Sequence, residues 1–368
     1  MRIIFTGDFS TQNRLANLDK VNIMNIDGSN YHFVDYAVVN FESPLSTTGK
    51  PIIKIGPNLK NSVKSIQALK EVGVDLLTLA NNHFRDYGEC GVNDTIKECK
   101  RQNIDYVGGG SFEKSKEPFL LVHDGIKIGI INICENEFSS ATCHHAGSNG
   151  FDYVEVYDAV QHLKKKSDFI VVIHHGGVEH FQLPTPRMKR LFHHFIDIGV
   201  DLIINHHQHC YSGYERYKER LIFYGLGNFL FDAPWPNVPD SWYYGYMVQV
   251  DFSRYLDFRI IPYCQCKSDP VVQLLDIDAF DEKIKELNDI IVDDEKLDSS
   301  FGNFVLKNKY PLSPMLPYHN HYLRALYHRG YLPDLIPEKN KLEILNWARC
   351  ESLHECLIKF LELKLDNV

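Results

Sequence analysis

A chain of 368 residues, 44% hydrophobic and 24% charged, has ample material for an ordinary buried core and suggests roughly two domains. A net charge of −9 with no basic stripe argues against a nucleic-acid partner, and no apolar run reaches transmembrane length. Nine irregularly spaced cysteines read as reduced thiols, and Met1 is not followed by a signal-peptide core, so the expected compartment is the cytoplasm.

Residues 2–7 read as a short buried strand that leaves Asp8 at its carboxyl edge. Residues 11–35 are polar and irregular, a surface excursion. A second strand over 36–40 runs into Asn40-Phe41-Glu42-Ser43-Pro44, where the proline stops the ladder. A helix over 62–72 stops at Gly73, and the strand 75–80 leads into Asn81-Asn82-His83-Phe84-Arg85-Asp86-Tyr87-Gly88. A further helix runs through Gln102, and Gly108-Gly109-Gly110 reads as a turn, because the fingerprint of a nucleotide loop is missing around it. Strands 119–122 and 127–134 flank the hairpin turn His123-Asp124-Gly125, after which 135–155 reads as loop and 157–166 as helix.

The Ile/Val strand 169–173 ends in His174-His175-Gly176-Gly177-Val178-Glu179. A helix opens near Pro186 and runs to Ile198. The apolar run 200–204 then ends in Asn205-His206-His207-Gln208-His209. On a strand, His207 and His209 would point to one side, which is a metal-ligand arrangement; the alternative is a His-rich surface loop. Gly73-Val74-Asp75-Leu76-Leu77 and Gly199-Val200-Asp201-Leu202-Ile203 share one grammar, as the halves of a duplicated sandwich would, or as two helix-to-strand loops converging on the same chemistry. Strands 246–252 and 258–263 read as an antiparallel pair. Beyond 275 the texture changes to helices over 280–291 and 342–363 with a Pro-rich stretch at 310–317, an extension that packs on or caps the first domain and shows no chemistry of its own.

Asp8, Glu42, Asn82, His83, His175, Glu179, His207 and His209 all fall at strand ends, where open α/β sheets bind their ligands. Carboxylate, amide and imidazole donors together suit Mn, Fe or Zn, and a carboxylate can bridge two cations ~3.5–4 Å apart. There is no Gly-x-Ser-x-Gly elbow and no cysteine in a nucleophile's setting. Lys54 and Arg187 are candidates to meet an anionic substrate, against the plainer reading of solvated charges. Asn228 is a candidate to orient a ligand histidine or close a loop.

Six motifs occur in order: Gly7-Asp8, Asn40-x-Glu42, Asn82-His83-x-x-Asp86-Tyr87-Gly88, His175-Gly176-Gly177-x-Glu179, His206-His207-x-His209 and Tyr224-Gly225-Leu226-Gly227-Asn228-Phe229. Together they resemble the CapA family of poly-γ-glutamate capsule biosynthesis proteins, whose fold belongs with the calcineurin-like metallophosphatases. The resemblance implies an α/β fold, a four-layer α/β/β/α sandwich over 1–270, followed by a helical extension over 275–368. It also implies two divalent metal ions (Mn, Fe or Zn) between the sheets. Asp8 and His209 would bind one ion, Glu42 would bridge, and Asn82, His207 and one of His174 and His175, here His175, would bind the other. His83 would protonate the leaving group while Asp86 holds its imidazole in the needed tautomer. Metallophosphatases usually carry a histidine where this chain has Ser10, so Glu179 is an alternative ligand. The implied activity is hydrolysis, by a hydroxide held on the ions, of a phosphoester or of an anionic polymer such as poly-γ-glutamate. The alternative is a non-catalytic polymer-binding or assembly component of capsule or envelope biosynthesis.

Overall fold

The computed structural model describes residues 1–16, 24–26, 29–30, 36–46, 48–233, 237–253, 255–308, 321–333 and 336–365. The Pro-rich stretch 310–317 and most of 11–35 therefore lie outside the described residues.

The central strands are continuous apolar runs because they are covered on both faces. In a ten-stranded sheet, Arg2–Ser10, Tyr36–Phe41, Leu76–Thr78 and Asp105–Val107 lie side by side and parallel. The antiparallel pair Tyr244–Phe252 and Leu256–Gln265 joins on the other side of Arg2–Ser10. A six-stranded sheet is built around the parallel trio Ile126–Cys134, Phe169–His175 and Leu202–His206.

Side chains alternate across each strand, so each sheet has two apolar faces to bury. Ile3, Phe5, Val38 and Leu76 of the larger sheet share one buried cluster with Ile128, Ile130 and Ile204 of the smaller. Ile4, Val39 and Leu77 face the other way, onto Ile66 and Leu69 of the helix Ser65–Glu71 and Val92 of the helix Gly88–Gln102. Val156 and Val160 of Tyr153–Leu163, with Phe192 and Phe195 of Pro186–Asp197, supply the helical layer of the six-stranded sheet. The fold is α/β, a four-layer α/β/β/α sandwich. Phe280, Leu297, Phe301 and Phe360 of the C-terminal helices join the same core cluster as the sheets. No helix among the described residues is long and apolar enough to cross a membrane.

Three local expectations need correction. The helix expected over 157–166 spans Tyr153–Leu163, because Asp152 caps it: Oδ1 accepts from Val154 N at 2.8 Å and Glu155 N at 3.1 Å. The helix expected over 342–363 is two, Glu338–Arg349 and Glu351–Leu365, broken at Cys350 (φ −75°, ψ 122°). That break turns the second helix so that Ser352 N and Oγ reach Glu135 at 3.1 and 2.7 Å. Gly109–Gly110 is a short strand paired with Gly147–Ser148 rather than a free turn, and a Cβ on Gly109 would stand 2.5 Å from the Phe84 ring.

Candidate metal centre

The centre forms where the carboxyl ends of the two sheets meet. Gly7 lets the first strand touch the loop before Asn228–Phe231, since a Cβ there would stand 1.8 Å from Gly227 O. Asp8 N then donates to Gly227 O at 3.1 Å, and the register sets Asp8 beside both Asn40 and Asn228. Asn40 ties the sheets together: its Nδ2 donates to Asp8 Oδ1 at 2.7 Å and lies 3.2 Å from His175 Nδ1. Its own Oδ1 accepts from Thr78 Oγ1 at 3.1 Å, which fixes the amide's orientation. Asn40 was not among the sequence candidates, although it belongs to a motif that pointed to Glu42.

The strand that carries the histidine run ends at His206. His207 and His209 converge through a tight loop rather than through the pleat, with φ of +89° and +54°. Non-glycine residues hold such angles only where their surroundings over-determine them. Here Asp8 Oδ2 accepts from His207 N at 3.2 Å, so the same carboxylate shapes the loop and faces the centre. His207 Nδ1 is 3.1 Å from His175 Nε2, which is 3.2 Å from Asn82 Oδ1. His209 Nδ1 is 2.9 Å from Asn228 Oδ1, and its Nε2 is 3.7 Å from Glu42 Oε1. His206 was overlooked as a candidate; its Nδ1 lies 3.4 Å from Asp8 Oδ1 and has no hydrogen-bond partner. His174 faces the other side of its strand, with Nδ1 2.7 Å from Asn205 Oδ1 and its ring edge on Phe192. Ser10 Oγ is 3.1 Å from Ser43 Oγ and accepts from Gln12 Nε2 at 2.9 Å.

The electrostatics fit a cation. Glu42 is fully buried, and among the described residues neither carboxylate oxygen has a hydrogen-bond partner. Burial, then the charges of Asp8 and Glu179, push its pKa well above the usual carboxyl range. Burial also raises Asp8, against the pull of His209. The imidazoles are held neutral by burial, His206 down to about 3 and His207 to about 4, with His175 and His209 lowered as well. Neutral imidazoles beside a carboxylate without donors, that of Glu42, are what a metal ion requires of its ligands. Asp8, Glu42 and His175 offer ligand atoms that all lie within 4.8 Å of one another.

Beside this group stands a relay. His83 Nδ1 is 2.6 Å from Asp86 Oδ2, and Asp86 Oδ1 is 2.5 Å from Lys54 Nζ. Leu59 N donates to Asp86 Oδ2 at 2.7 Å, and His83 Nε2 lies 4.0 Å from Glu42 Oε1. Lys54 thus presents no free cation to a substrate: its side chain is 3% exposed and paired with Asp86. Arg187 is likewise committed, 2.6 Å from Glu135 Oε1 and 3.4 Å from Glu355 Oε2, and it pins the last helix to the sandwich.

A cavity of about 480 Å3 opens over the centre. Asn82, His83, His207 and Glu179 line one side of it, and Glu137, Phe304, Asn346 and Trp347 line the other. Sequence reading missed this second wall, since its C-terminal members sit on amphipathic helices and form no motif.

The family model for the bacterial capsule synthesis protein PGA_cap matches residues 2–233. Capsule biosynthesis protein CapA of Bacillus anthracis is 33% identical over 252 residues, covering 66% of this chain and 61% of that protein. PGA biosynthesis protein CapA of Bacillus subtilis (strain 168) is 33% identical over 218 residues, 56% of each chain. A probable polyglutamine synthesis accessory protein of Mycobacterium tuberculosis is 24% identical over 212 residues, 54% of this chain and 56% of that one. The chain therefore spans about three fifths of the length of these relatives. Among solved structures, a putative 5'-nucleotidase from Staphylococcus aureus aligns at TM-score 0.42 and 14% identity, covering 79% of this chain and 59% of that one. A calcineurin-like phosphoesterase from Bacillus subtilis aligns at TM-score 0.38 and 13% identity, covering 82% and 98%.

Proposed function

Because this chain belongs to the bacterial capsule synthesis family PGA_cap, we propose that it is a metal-dependent hydrolase of an anionic substrate, either a phosphoester or an amide of a polymer such as poly-γ-glutamate. The observation that carries the reading is Glu42, whose two oxygens meet no donor at the junction of both sheets. In this proposal Asp8 and His209 would hold one divalent ion (Mn, Fe or Zn), Asn82, His175 and His207 would hold a second, and Glu42 would serve as a ligand between them. Such ions, when bound, polarise the scissile bond and lower the pKa of water.

The protein's own groups do the rest. Asp86 takes the Nδ1 side of His83, so the ring offers Nε2 toward the cavity, where it can protonate a departing oxygen or nitrogen. Lys54 holds Asp86 in place and neutralises it. Asn228 orients His209, and Asn40 orients Asp8 and His175. Residues 1–270 serve as the hydrolase domain and 275–368 as its cap. We place the protein in the cytoplasm on its nine cysteines, an odd number whose spacing fits no disulfide framework.

The test is metal analysis of untreated protein, followed by a panel of phosphoesters and γ-glutamyl peptides with added Mn. Turnover lost in His83→Ala, with metal and turnover both lost in the double variant His207→Ala/His209→Ala, is the expected result. Retained activity in the double variant rejects the proposal.

A second reading, a non-catalytic assembly component, is favoured by Ser10, whose hydroxyl is engaged with Ser43 and Gln12 where a further ligand would be wanted. Metal content without turnover on any member of the panel would select it.

A further inference from the structure

The cavity above the metal centre has a second pole, formed by Phe304, Asn308, Asn346, Trp347 and Leu353 with Glu137 beside them. Its one buried polar atom without a partner, among the described residues, is an acceptor. The carboxylate of Glu137 receives one hydrogen bond, from Asn346 Nδ2 at 3.2 Å. That bond sets the amide's orientation, and among the described residues it leaves Asn346 Oδ1 buried with no partner, in a residue only 6% exposed. Asn308 donates its Nδ2 to Phe304 O at 2.9 Å, which leaves its oxygen open to a ligand. Glu179 lines the same space and accepts no hydrogen bond among the described residues.

The nearby cations already have partners other than the Glu137 carboxylate. Lys54 is paired with Asp86, and the Arg349 guanidinium bonds the backbone carbonyl of Glu137 at 3.5 Å while lying over the Phe138 ring. A half-buried carboxylate and an orphaned amide oxygen together lack a donor, and the aromatic side chains of Phe304 and Trp347 line the same cavity. Asn346 and Trp347 lie beyond the span that matches the family model, so this pole is a feature of the chain's own extension.

We infer that Glu137 and Asn346 form an ammonium-binding subsite, so that the preferred ligand is a zwitterion carrying a protonated amine beside its anionic group. The inference rests on the hydrolase reading only for the anionic half: the metal centre takes the anion, and Glu137 with Asn346 takes the amine. No bond is made or broken at this pole; it selects and orients.

Two arms separate the inference from the reading beneath it. In the first, metal-free protein is titrated with propylammonium and the side-chain amide signal of Asn346 is followed by NMR. A saturable shift in wild type, absent in Glu137→Gln, is expected. In the second, Mn-loaded protein is titrated by calorimetry with 2-aminoethyl phosphate and with propyl phosphate, which match in size and differ in the amine. A preference of about tenfold or more for the amine is expected, from a charge-assisted hydrogen bond in a partly dry site. That preference should vanish in Glu137→Gln, with propyl phosphate affinity unchanged and the variant melting as wild type does. No propylammonium response, equal affinity for the two phosphates, or a preference that survives in Glu137→Gln overturns the subsite. If propylammonium binds as expected and neither phosphate does, the subsite stands and the anion-binding hydrolase reading falls.

Discussion

Asp75 and Asp201 hold equivalent positions in the two sheets. Asp75 N donates to Ala37 O at 3.0 Å while its Oδ2 accepts from Ala37 N at 3.0 Å. Asp201 N donates to Ile170 O at 2.8 Å while its Oδ2 accepts from Ile170 N at 2.7 Å. The backbone carbonyl of each then accepts from the next parallel strand, from Asp105 N at 2.9 Å and from Leu221 N at 3.3 Å. Each aspartate is thus a clip that sets three strands in register, and with them the polar residues at their far ends.

Replacing either aspartate by alanine leaves a backbone N–H at a strand start without its acceptor. Asp201→Ala and Asp75→Ala should each lower the unfolding free energy by about 1–3 kcal/mol. Because the two clips lie in different sheets, the double variant should lose close to the sum. Urea unfolding followed by circular dichroism checks this, and a loss well under that range would mean that water replaces the clip.

The duplicated grammar around these aspartates was legible in the sequence because a two-sided strand demands an apolar run and a helix-to-strand loop demands glycine before it. The four-layer sandwich came from the resemblance that the six ordered motifs carry, the runs alone suggesting two similar halves, while Asp8, Glu42, Asn82, His175, His207 and His209 stood out as polar residues at the ends of such runs. Other features depend on contacts far apart in the chain and leave no periodic trace. The left-handed turn at His207 is held by Asp8, 199 positions away, and Glu135 dictates the break at Cys350 from 215 positions away. Lys54 and Arg187 read as free cations because nothing local announces Asp86 or Glu135 as their partners. The second wall of the cavity was invisible for the same reason.

The Lys54–Asp86 pair is buried on both sides, so breaking it from one side strands a charge. Lys54→Met should destabilise the protein by about 3–5 kcal/mol. It should also reduce any turnover that depends on His83, because Asp86 would no longer be held against Nδ1. An unfolding free energy within about 1 kcal/mol of wild type would show that Asp86 is relieved by protonation or by water.

Metal should stabilise the folded chain, because the ligands come from strands far apart in sequence. At about 100 times its dissociation constant, Mn should add about 2.7 kcal/mol to the unfolding free energy, reversed by a chelator. Glu42→Gln should remove most of that gain while leaving the metal-free protein at least as stable, since an orphaned carboxylate is replaced by a neutral amide. Full Mn stabilisation in Glu42→Gln would take Glu42 out of the ligand set.

Glu137 makes stability depend on pH in a direction that can be worked out. Burial, partly offset by Asn346 and Lys54, pushes its pKa up to about 7 from the usual 4.5. Between those values the folded chain holds a proton that the unfolded chain has lost. The folded state then binds more protons, and the unfolding free energy falls as pH rises. The contribution is fully present below the unfolded value and lost as pH climbs through about 7. The buried histidines act oppositely, since His206 and His207 stay neutral in the fold at pH values where the unfolded chain would protonate them. Comparison with Glu137→Gln cancels them. The stability of wild type relative to Glu137→Gln should therefore decline from about pH 5 to about pH 8. Parallel curves for the two proteins would mean that Glu137 is already ionised in the fold, its carboxylate satisfied by water or by a neighbouring cation.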